Sequence, residues 1–200
     1  MKRLVISPHV DDEVLGCSSV LNAETVVHYV GVTHFQVVSR KERLREATAT
    51  AKYFGFKFSF WLDTVVNQYD VSSLISPLEA LINDQQPSEV FIPYRHSYNQ
   101  DHRAVFQAAL VALRPHDKNW FVKKVLMYEQ PDVLWTPETF RANYFVPLDF
   151  KKKMKGLRIQ ASQMRGHRSE ELIHAMAKIR GEQAGIPTAE GFEVLRFVAG

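Results

Sequence analysis

Two short stretches of this chain concentrate the residue types that bind metals and move protons. The first, SPHVDDEVLG, places His9, Asp11, Asp12 and Glu13 within five positions. The second, YRHSYNQDHRAV, carries His96, Asp101 and His102, with Tyr98 and Asn99 between them. Each has a plain reading when taken alone. A carboxylate at a helix start caps N–H groups and meets the positive end of the helix dipole, so Asp101 reads as the cap of a helix beginning at His102 or Arg103. A lone histidine in such a place is more often hydrogen-bonded than ligating. Four ionisable side chains in five positions, however, exceed what capping requires. Two imidazoles and several carboxylates form an N/O donor set that suits zinc, three protein donors leaving one position open for water; iron(II), manganese or nickel suit such a set as well.

For that chemistry the two stretches must meet, and the elements around them say how. Short apolar runs rich in β-branched residues predict strands at 3–7, 25–32, 56–62, 89–93 and 121–128. Between and after them, helical periods predict helices at 12–21, 39–54 (closed by Gly55), 71–83 (capped by Ser72 or Ser73), 103–113, 150–163 and 169–181. The segment up to Leu148 is less regular, and 189–197 adds a last short element. Strands alternating with helices predict an α/β domain over 1–200: a Rossmann-like open parallel sheet, order 3-2-1-4-5, with helices on both faces. In that order the first and fourth strands are neighbours at the switch point where ligands bind. The two loaded loops directly follow those two strands.

The remaining composition narrows the classes. A chain of 200 residues is long enough for one α/β core. With 46% hydrophobic and 24% charged residues it reads as globular, and a net charge of +3 falls far short of a nucleic-acid-binding surface. The basic run of Lys151, Lys152, Lys153, Lys155 and Arg158 reads as a solvated helix start. The apolar run at the amino terminus is too short for a signal peptide, and no stretch approaches a membrane span, which predicts a cytoplasmic protein. Gly16, Cys17, Ser18 and Ser19 are small enough to let the first helix approach the sheet. Cys17, the single cysteine, then belongs to the core and is no nucleophile. No G-x-G-x-x-G follows the first strand, which disfavours a dinucleotide-binding domain.

Here the motifs carry a resemblance. PHVDDEVLG resembles the P-H-P-D-D-E signature of the PIG-L/LmbE-like zinc deacetylases, with Val10 in place of the second proline. Arg43 and Glu46, followed by Ala47 and Gly55, resemble the family's R-x-x-E helix, and the run from Gln100 through Asp101, His102 and Arg103 to Val105 its second signature. Tyr128 and Glu129 resemble its Tyr-Glu. Ser162-Gln163, Arg180-Gly181 and Ala189-Glu190-Gly191-Phe192 are similar to its closing segment.

The resemblance implies a zinc hydrolase that removes the acetyl group of an N-acetylated amino sugar or glycoconjugate. His9, Asp12 and His102 would hold the metal and Asp11 would be the general base. The chain departs from the family's commoner pattern at Asn99, where many members have a histidine thought to stabilise the oxyanion, at Ser97, where an Asp is expected, and at Thr33, His34, Phe35 and Gln36, which replace a Gly-Glu-type segment. Asn99 either donates to the oxyanion or shapes the loop through an Asx-type turn; His96 and Tyr98 are the other candidate donors. Arg43 either touches substrate or pairs with Glu46 on an exposed helix face. Glu129 either supports a ligand histidine or simply ends a strand. Trp61, Trp120 and Trp135 read as core or rim packing, with Trp135 the best candidate for stacking on a sugar; His28, His116, His167 and His174 read as structural. Two other functions compete: a metal-dependent phosphoesterase, and a non-catalytic, metal-stabilised binding protein. The expected partner is a small N-acetyl sugar or glycoconjugate, with no nucleic acid; a homo-oligomer is compatible with this reading.

Overall fold

The computed structural model describes residues 2–32, 38–115, 120–164 and 166–199. The expected rim residues Thr33, His34, Phe35 and Gln36 lie outside that set, as do His116 and the side chain of His167.

The chain runs β1 (Arg3–Ser7), α1 (Asp12–Cys17), β2 (Thr25–Tyr29), α2 (Arg40–Phe54), β3 (Lys57–Phe60), α3 (Val71–Gln85), β4 (Glu89–Pro93), α4 (Gln100–Ala112), β5 (Lys124–Tyr128), β6 (Tyr144–Pro147), α5 (Phe150–Ile159), α6 (Glu170–Ala184) and β7 (Ala189–Phe197). The sheet order is β3-β2-β1-β4-β5-β7-β6. Its first five strands are parallel and stand in the expected 3-2-1-4-5 order. The other two are antiparallel: β7 pairs with β5 and β6 with β7. β6 was not anticipated; four half-exposed residues at a sheet edge carry too little alternation to be read as a strand.

Alternate residues of each central strand enter opposite layers of core. Val5, Val27, Phe91 and Leu126 pack with Val14, Phe54, Met154 and Leu157 beneath α1, α2 and α5. Leu4, Ile6, Val90, Ile92, Val125 and Met127 pack with Leu74, Leu78, Ile82, Val105 and Ala109 beneath α3 and α4. A strand flanked by helices on both faces has no solvated side, which is why these segments read as continuous apolar runs. No helix among the described residues is long and apolar enough to cross a membrane.

Several helix ends differ from expectation. α1 stops at Cys17 and a 3-10 turn, Ser18–Val20, follows. α3 is capped by Asp70, whose carboxylate accepts from the Ser73 N–H at 2.8 Å; Ser72 and Ser73 do not cap it. α4 begins three residues earlier than expected, and its cap is Asn99. Lys153 is not solvated: its Nζ donates to the Leu15 carbonyl (2.6 Å) and to Glu190 (2.7 Å), both side chains being buried. Glu190 also accepts from the Ser18 N–H and Oγ–H and from the Ser19 N–H, which ties α1, α5 and β7 together. A Cβ at Gly16 would collide with the Tyr128 ring, so only glycine lets α1 lie this close to β5.

Candidate metal centre and adjoining cleft

β1 and β4 are direct neighbours, so the loops leaving their carboxyl ends face each other across one crevice. In the first loop the Ser7 hydroxyl donates to the His9 carbonyl (2.7 Å), and the His9 N–H donates to Asp12 Oδ2 (2.8 Å). Tyr69 donates its hydroxyl to the Pro8 carbonyl from the far side (2.7 Å). In the second loop the Asn99 side-chain oxygen accepts from the Asp101 N–H at 2.9 Å, an Asx-type cap that starts α4. The first turn of α4 then carries Asp101 and His102 inward, both buried.

Three donor atoms converge. His102 Nε2 lies 3.3 Å from His9 Nδ1 and 3.3 Å from Asp12 Oδ2, and His9 Nδ1 lies 3.4 Å from Asp12 Oδ2. Tetrahedral bonds of about 2.0–2.1 Å to zinc require donors roughly 3.3–3.4 Å apart, and the triangle has those edges. Its other polar atoms are also held. His9 Nε2 meets Asp101 Oδ2 at 2.9 Å, an oxygen that also accepts from the Asn67 N–H (2.7 Å), while Gln130 Nε2 donates to Asp12 Oδ1 at 2.8 Å. A carboxylate on the outer nitrogen of a ligating histidine sets its tautomer and orientation. Asp101 therefore serves His9, and the cap role expected of it falls to Asn99.

The electrostatics favour a cation. Burial works against a charged His9, yet the Asp101 and Asp12 carboxylates outweigh it and raise its pKa to about 9. Burial also opposes the Asp12 carboxylate, but His102 and His9 hold its pKa well below the usual range. A potential that keeps a proton on His9 is the potential a divalent ion would meet. Asp11, beside the triangle, has its pKa raised chiefly by burial, against which the Arg168 guanidinium works. Its backbone is unusual, with φ at +129°, and its N–H donates to Glu13 Oε2 at 2.9 Å. Gln160 holds the other oxygen of Glu13 at 2.6 Å, and burial raises the Glu13 pKa to about 8. Glu13 thus props the loop. Burial likewise pushes the Cys17 thiol up, as befits a core residue.

A cleft of about 290 Å³ adjoins the triangle, lined by His102, Asn99, Tyr98, Gln130, Trp135 and Arg168 among others. A larger open hollow of about 640 Å³ beyond β3 is lined by Trp61, Asp63, Tyr69 and Asp70 and contains none of the three donors. Of the expected contact residues, Tyr98 and Trp135 stand exposed on the smaller cleft. His96 is not among its lining residues; its ring packs edge-on against Tyr94 instead. Arg43 donates to the Val10 carbonyl (3.0 Å), behind the first loop. Glu46 is buried and accepts from the Ser162 N–H and hydroxyl, so it does not lie on an exposed face. Glu129 is ion-paired with Arg180 rather than supporting a histidine. Gln130 and Arg168 were missed by the sequence reading, since a glutamine after a strand and an arginine near a short turn carry no local signal.

A family model for GlcNAc-PI de-N-acetylase (PIG-L) matches residues 4–113. No curated protein matches the chain significantly in sequence. Among solved structures the chain is similar to N,N'-diacetylchitobiose deacetylase from Pyrococcus horikoshii, with 20% identity over 98% of this chain and 84% of that one, TM-score 0.74. It is similar to the teicoplanin deacetylase Orf2 in its zinc-inhibited form, with 18% identity over all of both chains, TM-score 0.75. It is also similar to 4-carboxy-2-hydroxymuconate hydratase from Pseudomonas putida, with 20% identity over 100% of this chain and 98% of that one, TM-score 0.77. At these identities the likeness is one of fold, and that fold carries both hydrolysis and hydration.

Proposed function

The chain belongs to the GlcNAc-PI de-N-acetylase (PIG-L) family, and on that premise we propose that it removes the acetyl group from an N-acetylated amino sugar or glycoconjugate with the help of one divalent metal, zinc. The observation that carries this reading is the donor triangle of His9, Asp12 and His102 beside a cleft of about 290 Å³. A phosphoesterase of the two-metal kind needs a second donor cluster, and among the described residues the triangle is the one cluster of this type.

His9, Asp12 and His102 would hold the ion, and bound there it supplies Lewis acidity towards water and the amide carbonyl. The protein's own groups do the rest. Asp11 takes the proton of the attacking water as the new C–O bond forms. It returns that proton to nitrogen as the C–N bond breaks, releasing acetate and the free amine. Asn99 has its oxygen committed to the helix cap, which leaves its NH₂ to donate to the oxygen that becomes negative as water adds. Gln130 and Asp101 keep Asp12 and His9 in place. Tyr98 and Trp135 offer the exposed rim of the cleft for a sugar ring.

The test is zinc-loaded protein incubated with N-acetylglucosamine, its aryl glycosides and N,N'-diacetylchitobiose, with free acetate as readout and Asp11→Asn as control. Acetate release that the control loses is the expected result. Water addition to an unsaturated dicarboxylic acid, with no acetate from any N-acetyl substrate, would overturn it in favour of a hydratase.

A further inference from the structure

Arg168 reaches the site from a part of the chain that follows the family-matched segment, and it lies 157 positions from its partner. Its Nη1 donates to Asp11 Oδ2 and to the Gln163 carbonyl. The Asp11 carboxyl is almost wholly buried, whereas one fifth of the Arg168 side chain is exposed and lines the cleft. The Asp11 backbone is pinned separately, through Glu13, which Gln160 holds in turn. A pinned backbone still leaves two side-chain torsions free to turn the carboxyl group. Among the described residues, Arg168 is the side chain whose contact fixes them.

We propose that Arg168 is the positioning residue for Asp11: by gripping Oδ2 it fixes the carboxyl group, and with it Oδ1, in the orientation that proton transfer needs. A base must stand within hydrogen-bond reach of the proton it takes, and misplacement by about 1 Å costs on the order of 100-fold in rate. The neighbouring contacts of the same segment fit this purpose. Gln160 and Ser162 reach Glu13 and Glu46, so the stretch that carries Arg168 is itself anchored to the first loop and α2. The proposal rests on Asp11 being the base.

Arg168→Ala, Arg168→Lys, Asp11→Asn and the double variant Asp11→Asn/Arg168→Ala test it, with acetate release from N-acetylglucosamine glycosides, zinc content and melting temperature measured on each. Arg168→Ala should lower kcat about 100-fold while KM and zinc content stay as in wild type. Millimolar guanidinium should restore part of that loss. Lysine, a single point donor without the planar fork, should fall between. The double variant should be no slower than Asp11→Asn, because both changes remove one function. A crystal structure of Arg168→Ala should show the Asp11 carboxyl rotated, a readout that needs no substrate. An unrotated carboxyl, or a raised KM with kcat intact as for a substrate anchor, overturns the proposal; so does a parallel loss of zinc and melting temperature. If Asp11→Asn keeps full activity, it is the base assignment that fails. If it loses activity while Arg168→Ala does not, only the role of Arg168 fails.

Discussion

Asn99 does two things at once in this reading, and two substitutions separate them. Its Oδ1 caps α4 through the Asp101 N–H at 2.9 Å, and its NH₂ is left for the cleft. Serine at this position retains a capping oxygen but has no NH₂ to reach the reacting carbonyl; alanine has neither. Loss of a cap costs about 1 kcal/mol, which for a chain of this size lowers Tm by roughly 2–4 °C. Loss of one oxyanion donor costs about 2.7–4 kcal/mol of transition-state stabilisation, or roughly 100- to 1000-fold in kcat. Asn99→Ser should therefore melt near wild type, keep its zinc and lose kcat by that factor, with KM little changed because the contact strengthens only as charge develops. Asn99→Ala should lose the same factor and melt lower, and since the cap also places Asp101 against His9, some zinc should go with it. Steady-state acetate release, zinc analysis and thermal melts on the two variants decide the matter. If Asn99→Ser turns over at the wild-type rate, Asn99 is a cap and nothing more, and the donor must be sought elsewhere.

Asp101→Ala leaves His9 Nε2 without its carboxylate and should weaken zinc binding about 10- to 100-fold in a competitive chelator titration; unchanged affinity would show that Asp101 does not orient the ligand. Lys153→Met strands the Glu190 carboxylate among neutral donors and should cost about 3 kcal/mol in urea unfolding, part of which Glu190→Gln returns in the same chain. His28 is buried between Ser59 and Trp61, and burial lowers its pKa to about 4. Between its unfolded value near 6.5 and 4 the unfolded chain binds the extra proton, so the contribution of His28 to stability should fall by about 3 kcal/mol as pH drops through that window, while Glu13, its pKa raised to about 8, contributes with the opposite sign. The stability difference between wild type and His28→Phe in urea unfolding should change by that amount between pH 6.5 and 4; a difference that stays flat with pH would refute the assignment.

Continuous apolar runs were enough to locate the central parallel strands, because a strand buried on both faces must be apolar throughout. The two loops stood out because ionisable residues crowd them after strands one and four, and strand order alone brings those loops together; the choice of His9, Asp12 and His102 among those residues came from the family resemblance. Periodicity assigns a residue to a face and motif spacing assigns it to a loop, but neither names a partner. Asp101 could have capped α4 or gripped His9, and the choice depended on Asn99 taking the cap. Glu129 could have backed a histidine, but α6 packs over β7 and brings Arg180 to it first. Gln130 on Asp12 and Arg168 on Asp11 join positions 118 and 157 residues apart. Contacts of that span exist only once the helices and the two antiparallel strands are docked. Burial then decides them, because a charge or amide taken out of water must find whichever partner the packing has left within reach.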